Sequence, residues 1–317
     1  MRIFIEVPVW LGDTIMASVA VRNIISSYKE SEIVIFGSKV ATQIYSSFDG
    51  VSKVVVDESK SAKNRWFWLY RKCKELGKFD LAISFRRQYS TRFLLFFLNA
   101  KDKFRYKRLD ERSTHQVKRY NDFASFALKK DLRLGDLALP FEPKEYEKKA
   151  LGLNPGAAYG SAKRWYPKEF AKVAKALSSR YDIYIFGSQN EKEQAIEIEN
   201  YLKEANVLNV KNLAGKTDIK SLCEHIGGLS LFITNDSGPL HIGAAYKVKT
   251  IAIFGPTIPL ETNGWNNPFE KIVKLDLPCQ PCMKRVCPLK HHDCMKQIKA
   301  DYVLEKVSEL DEKSAKI

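Results

Sequence analysis

The sequence predicts an α/β protein of two Rossmann-like halves facing a central cleft. Short apolar, β-branched runs alternate with stretches of helical spacing, the order that gives parallel sheets covered by helices. The alternation stops once, at residues 134–148, and then begins again. The 317 residues are enough for two domains, at roughly 150 residues each.

Residues 3–7 open the first series as a strand. Residues 14–28 follow as a helix, with Ile15, Val19, Arg22 and Ile25 at helical spacing. Residues 33–36, 53–56 and 81–85 are β-branched and bounded by turn residues, so they read as strands. Helices at 38–47, 61–76 and 89–98 separate them. Gly135, Pro140, Pro143 and the charged Lys144, Glu145, Glu147, Lys148 and Lys149 mark a linker. The second series has strands at 151–153, 183–186, 229–234 and 250–254, and helices at 167–179, 190–204, 218–226 and 238–246. A last helix at 301–310 gathers Tyr302, Val303 and Val307 on one apolar face, so it docks on the body. The expected division is therefore 1–145, 146–300 and 301–317. Sheets of this kind bind ligands beyond the carboxyl ends of their strands.

Hydrophobic residues make up 45% and charged residues 28%, which excludes wholesale disorder and a disulfide-dense scaffold. The densest apolar run, 93–98, is far short of the roughly 20 residues a membrane-spanning helix needs. The N-terminal run is broken by Glu6 and Pro8 and lacks the core of a signal peptide. A cytoplasmic protein is expected. Net charge is +15, and residues 60–133 alone hold 21 Lys/Arg against 7 Asp/Glu. Such a field attracts nucleic acid, an anionic membrane leaflet or a phosphorylated substrate. A solvated basic face is the plainer alternative.

No G-x-G-x-x-G is present, and Gly215-Lys216-Thr217 is not a P-loop because Val210 stands where its first glycine belongs. Three loops carry more. Trp10-Leu11-Gly12-Asp13-Thr14-Ile15 leaves the first strand and enters the first helix. Asp13 there is an N-cap or a general base. Residues 154–165 end in Lys163-Arg164-Trp165 before a helix, where two cations and a helix N-terminus suit a phosphate. Asp236-Ser237-Gly238, with His241 a turn later, offers backbone N–H groups at another helix start. Taken singly, Asp236 also reads as an N-cap and His241 as a packed histidine.

Together these segments resemble the ADP-heptose:lipopolysaccharide heptosyltransferases, glycosyltransferase family 9. The similarity rests on Trp10, Gly12, Asp13 and Ile15, on Pro155-Gly156-Ala157 with Lys163-Arg164-Trp165, and on Leu213-Ala214-Gly215-Lys216-Thr217. It extends to Asn235-Asp236-Ser237-Gly238 with His241 and to Phe254-Gly255-Pro256-Thr257. The Lys-Arg-Trp loop and the late cysteines are most similar to the branch that adds the second core heptose. The resemblance implies a GT-B fold, with the acceptor on the first domain, the nucleotide sugar on the second, and the last helix packing back on the first. It implies inverting, metal-independent transfer of heptose from ADP-heptose, with no cofactor, onto the first heptose of the inner core. Heptosyltransferases of the first or third step, or a relative using another sugar, are the alternatives. Asp13 is then the base and Lys163 stabilises departing ADP. Gly12, Thr14, Lys163, Arg164, Asp236, Ser237, Gly238 and His241 are donor contacts. Gln189 or Glu191 meets the nucleoside, and Thr217 lies near the adenine. Arg86, Arg87 and Arg92, which follow a strand, are acceptor candidates by position. The implied acceptor is anionic Kdo–lipid A bearing heptose, which places the protein on the cytoplasmic face of the inner membrane and not on nucleic acid.

Cys279, Cys282, Cys287 and Cys294, with His291 and His292 among them, have the look of a metal-ligand set. Reduced packed thiols are the first expectation in a reducing compartment, with structural zinc or a disulfide as alternatives, and no catalytic metal is implied. Two other functions compete. One is a nucleic-acid-binding module using the basic stretch with Trp66, Phe67, Trp68, Tyr70 and Tyr106. The other is a zinc-dependent interaction protein.

Overall fold

The structure, a computed structural model, describes residues 1–109 and 113–314. Residues 110–112 of the basic stretch and the last three of the expected 301–317 segment lie outside the described residues. The chain forms two compact units, Met1–Pro140 and Phe141–Ile317.

The first unit has five strands, β1 (Arg2–Glu6), β2 (Glu32–Gly37), β3 (Lys53–Val56), β4 (Lys78–Ser84) and β5 (Asn99–Arg105). They pair in the order β3-β2-β1-β4-β5, all parallel. The second has six, β6 (Ala150–Asn154), β7 (Asp182–Ile185), β8 (Val210–Asn212), β9 (Leu231–Asn235), β10 (Thr250–Ile253) and β11 (Glu270–Val273). Their order is β11-β10-β9-β6-β7-β8, again all parallel. In each sheet the direction of strand order reverses between two central neighbours, β1 with β4 and β6 with β9. Loops leaving the carboxyl ends of such pairs are where these sheets bind ligands. Register brings Glu6 beside Ser84 in one sheet and Asn154 beside Thr234 in the other.

Burial explains why these segments fold as they do. In the first unit Phe4 packs on Phe36 and Phe79 with ring centroids 5.7 and 5.4 Å apart. The helix Arg65–Leu76 closes on them with Leu69, Cys73 and Leu76. Asn64 starts that helix by accepting the Trp66 and Phe67 N–H groups, each at 3.0 Å, and Gly77 at φ 73° ends it. In the second unit all five residues of β6 and of β9 are buried.

The expected strands and helices lie within a few residues of those observed, with instructive exceptions. The helix expected at 14–28 starts at Leu11 and bends at Ala17, giving Leu11–Met16 and Ser18–Ser27. β5 goes unread in the sequence because it is a mostly exposed edge strand carrying Lys101, Asp102 and Lys103. The helix Gln116–Leu128, hidden in the basic stretch, buries Val117, Tyr120, Phe123, Ala124, Ala127 and Leu128 on one face. The unit boundary falls at 140/141, earlier than 145/146. Physically, residues just after it are fastened to the second unit. The Phe141 carbonyl accepts from Tyr246 Oη at 2.7 Å, and Lys144 N–H donates to the Glu224 carbonyl at 2.8 Å. The C-terminal helix is Ala300–Ser314. Its Val303, Val307 and Leu310 belong to the second unit's own core, and Lys271 ties Glu309 at 2.8 Å. Among the described residues no helix is long and apolar enough to cross a membrane.

Glu270, which opens β11, gives the second unit a pH dependence. Its carboxyl is turned inward and accepts the Gly264 N–H at 2.8 Å. Burial pushes its pKa up to about 7, against the pull of that hydrogen bond. A carboxyl raised on folding adds stability below its unfolded value of about 4.3 and loses it as pH rises through the folded one. The melting temperature of the wild type is therefore expected to fall between about pH 4.3 and about pH 7, relative to Glu270→Gln. Thermal melts across that window check this.

Candidate active site

The loop after β1 delivers Asp13 as the third residue of the helix Leu11–Met16. Trp10 holds the N-cap position, so Asp13 is not the cap. Tyr120 Oη donates to Asp13 Oδ1 at 2.9 Å. Burial, and then the Asp13 charge, hold the Tyr120 phenol well above its ordinary range. It therefore remains a proton donor at neutral pH. A carboxylate oriented by a buried phenol, at the switch point of its sheet, has the placement a general base needs. Tyr120 is the functional residue that the sequence reading missed. Its signal was there, since Val117, Tyr120, Ala124 and Ala127 recur at helical spacing through a run that reads mainly as charge.

Gly12 lies partly exposed beside Asp13. Thr14, expected to touch the donor, does not face outward. It is fully buried, and its hydroxyl donates to the Trp10 and Pro8 carbonyls at 2.9 and 3.2 Å. It fastens the loop. Arg86, expected at the acceptor, is likewise an internal brace, 6% exposed. Its Nε donates to the Val7 carbonyl at 2.6 Å, and its Nη1 lies 3.3 Å from Glu6 and 3.2 Å from Asp57. Glu6 also accepts from Ser84 at 2.5 Å and Thr91 at 3.2 Å. Burial raises the Glu6 pKa and Arg86 opposes the rise. These charges are taken out of water together and hold β1 to β4. Arg87 and Arg92 stay exposed, Arg87 lying 5.9 Å over the Tyr106 ring.

In the second unit two asparagines stitch the strand ends to the loops. Asn154 Nδ2 donates to Ser237 Oγ at 2.9 Å and Thr234 Oγ1 at 3.2 Å. Asn235 Nδ2 donates to the Pro155 carbonyl at 2.6 Å, and its Oδ1 accepts the Trp165 N–H at 3.1 Å. Neither has a role of its own in the sequence analysis, although each ends an apolar strand with a buried amide. Between them the loop carries Lys163, whose Nζ lies 2.5 Å from Asp236 Oδ2 and 4.8 Å from the Tyr159 ring centre. Thr257 Oγ1 donates to the same carboxylate oxygen at 2.5 Å. Asp236, expected as a donor contact, is 3% exposed and aims its charge at Lys163 and Thr257. A bare carboxylate repels a diphosphate, and in this structure Asp236 is held against Lys163. Arg164 is partly exposed, with Nε 3.4 Å from the Ala157 carbonyl. Ser237 is the N-cap of the helix Gly238–Ala245, in which His241 is buried. One cation, one serine and a helix start thus share the β6–β9 switch point, a fit for phosphate.

The nucleoside candidates separate. Glu191 is spent on a capping box, accepting the Ser188 N–H and hydroxyl at 2.8 Å each, and its carboxyl fills the space where a Cβ on Gly156 would lie. Gln189 is exposed and Thr217 partly so. They flank the turn at Gly215, whose φ of +70° suits glycine.

The four late cysteines are free thiols and line one small cavity with His291 and His292. Burial raises the Cys294 thiol to about 11, the other three adding to the rise. Among the described residues no set of three or more His, Cys, Asp or Glu side chains stands ready-made as metal ligands. Their loop braces the Lys163 loop. Ala162 N–H donates to the Arg285 carbonyl at 3.0 Å, Tyr159 Oη to the Met283 carbonyl at 2.8 Å, and the His292 ring lies 3.0 Å from the Ala162 carbonyl. A Cβ on Gly160 would collide with the Arg285 carbonyl. Because backbone cannot rotate away, Gly160→Ala is expected to destabilise by about 1–3 kcal/mol, read from the denaturant midpoint.

Comparison with known proteins gives this geometry a context. The pattern of glycosyltransferase family 9 (heptosyltransferase) matches residues 78–292. The chain is 45% identical over 318 residues to lipooligosaccharide heptosyltransferase 2 of Campylobacter jejuni serotype O:2, covering 98% of each. It is 28% identical to lipooligosaccharide heptosyltransferase 2 of Haemophilus influenzae, over 83% of this chain and 85% of that one. Among solved structures, Escherichia coli ADP-heptose lps heptosyltransferase II matches with TM-score 0.76 and 21% identity over 98% of each chain. Escherichia coli heptosyltransferase WaaC with ADP matches with TM-score 0.78 and 14% identity, over 98% of this chain and 100% of that one. These two likenesses establish the fold class, two parallel-sheet α/β domains of GT-B type.

Proposed function

As the chain belongs to glycosyltransferase family 9, the heptosyltransferases, we propose that it moves heptose from ADP-heptose onto the first heptose of the lipooligosaccharide inner core. The observation that carries this reading is the near-full-length kinship with lipooligosaccharide heptosyltransferase 2. The site supports it. In the proposed step Asp13 takes the proton from the acceptor hydroxyl as its oxygen attacks the anomeric carbon. The bond from that carbon to the β-phosphate oxygen breaks, and the centre inverts. ADP departs with growing negative charge, which Lys163 and the N–H groups at Ser237 and Gly238 stabilise, preorganised donors being effective at that task. Gln189 and Thr217 remain the candidates for the nucleoside, Arg87 and Arg92 for the anionic acceptor.

The acceptor is amphiphilic, and the first unit has a face suited to a lipid surface. Trp66, Phe67 and Phe96 are 45%, 58% and 78% exposed, on helices Arg65–Leu76 and Tyr89–Phe97 that also carry Arg71, Lys74 and Arg92. Aromatic side chains with basic neighbours suit the headgroup zone of an anionic leaflet. We place the protein peripherally on the inner face of the inner membrane, and co-sedimentation with anionic vesicles that falls with salt tests that placement. Of the aromatics that suggested nucleic acid, Trp68 packs against the core and Tyr106 is buried.

A mass-spectrometric transfer assay tests the function. The protein receives ADP-heptose and Kdo–lipid A bearing one heptose, with and without chelator. Gain of one heptose in both is expected. No gain, with a working control enzyme, overturns the assignment of the step.

A further inference from the structure

We propose that Cys279, Cys282, Cys287 and Cys294 form a tetrathiolate site for one thiophilic divalent cation, zinc or ferrous iron, that pins their loop beneath the Lys163 loop. All four thiols come from one short stretch and line one small cavity. The two histidines of its wall have other partners. The His292 ring meets the Ala162 carbonyl at 3.0 Å and Tyr166 Oη at 3.2 Å, and His291 Nδ1 accepts the Asp293 N–H at 3.0 Å. That leaves four sulfurs, the number and kind a tetrahedral structural site takes.

The loop has little regular structure of its own. From 274 to 299 its only regular element is the single turn Asp293–Lys296, and long ordered loops without elements of their own are uncommon. Met283, Lys290 and His292 hold left-handed backbone at φ 55°, 61° and 56°, a conformation that costs non-glycine residues energy. Met295 and Ile298 anchor the far end in the core. Between Cys282 and Cys294, by contrast, Val286 and Leu289 are 67% and 59% exposed. A metal is the staple that small, core-poor segments use. Charge fits as well. Four thiolates on a dication carry a net −2, and Lys284, Arg285, Lys290 and Lys296 lie in the same loop.

As placed, no group of three or more His, Cys, Asp or Glu among the described residues could hold a metal ion, so the proposed site requires that the metal draw the sulfurs together. Each thiol releases its proton to solvent as its sulfur bonds the metal, four protons leaving for four sulfur–metal bonds formed.

The full chain, purified in reducing buffer without chelator or a metal-binding tag, is analysed by elemental mass spectrometry. It is then exchanged with cobalt(II). One zinc or iron per chain is expected, which also identifies the metal. A sulfur-to-cobalt charge-transfer band is expected, lost in Cys287→Ser, with the metal released as a mercurial titrates the thiols. If Cys287→Ser does not fold, the wild-type spectrum and metal content still decide. Substoichiometric metal with no charge-transfer band, and all four thiols reacting as free thiols, would overturn the proposal. A disulfide among the four in non-reducing peptide maps would overturn it equally. None of these readouts depends on the transfer reaction.

Discussion

Asp13→Asn is expected to lower kcat for heptose transfer by about 10²–10⁴-fold, the range that a positioned general base contributes. The change keeps shape and removes only basicity. Tyr120 Oη still finds an oxygen where it now meets Oδ1 at 2.9 Å, so the melting temperature is expected to stay close to that of the wild type. Binding of ADP, measured by calorimetry, is expected to be unaltered, because Asp13 lies in the first unit and the proposed phosphate contacts in the second. An unchanged kcat would remove Asp13 from the chemistry. Tyr120→Phe gives a graded control. It removes one hydrogen bond from the carboxylate, and a roughly tenfold lower kcat with KM unchanged is expected, the worth of about one hydrogen bond.

Lys163→Met is the second large effect, and it acts twice. Asp236 stays 3% exposed with its cation gone, and breaking a buried pair from one side costs about 3–5 kcal/mol. ADP affinity is expected to fall roughly tenfold or more with the loss of a charge-assisted hydrogen bond. Adding Asp236→Asn separates the two effects. The double variant leaves no unpaired charge, so most of the lost stability is expected to return while transfer stays lost. Denaturant unfolding reads the first and calorimetry with ADP the second. Recovery of transfer in the double variant would show that Lys163 serves the fold alone.

The architecture was legible because parallel sheets write buried strands as apolar runs, as in β1, β6 and β9, and no other element type fits runs so short. The edge strand β5 escaped for the opposite reason, since it buries little and spends its side chains on charge. Asp13, Lys163 and Ser237, where a motif coincides with a strand end, are the expected residues that the proposed reaction uses. Composition alone does not divide two roles that one residue type can fill. Arginine after a strand looks the same whether it reaches a ligand, as Arg87 is free to do, or turns inward as Arg86 does to Glu6 and Asp57. Carboxylates behave alike in this respect, because Glu191 in its capping box and Asp236 against Lys163 are indistinguishable in sequence from ligand contacts. Only burial and partner geometry divide them.

The amide stitching of the second unit also bears on synthesis. Asn154 reaches Ser237 across 83 positions, and Trp165 reaches Asn235 across 70. Contacts this distant in the chain form late and slowly, since closing a long loop must precede their reward. The proposed phosphate cradle therefore cannot assemble on the ribosome until the chain beyond β9, out to Thr257, has emerged. A nascent chain halted between β6 and β9 would hold the sequence of the Asp13–Tyr120 pair complete while β6 still lacks its central partner.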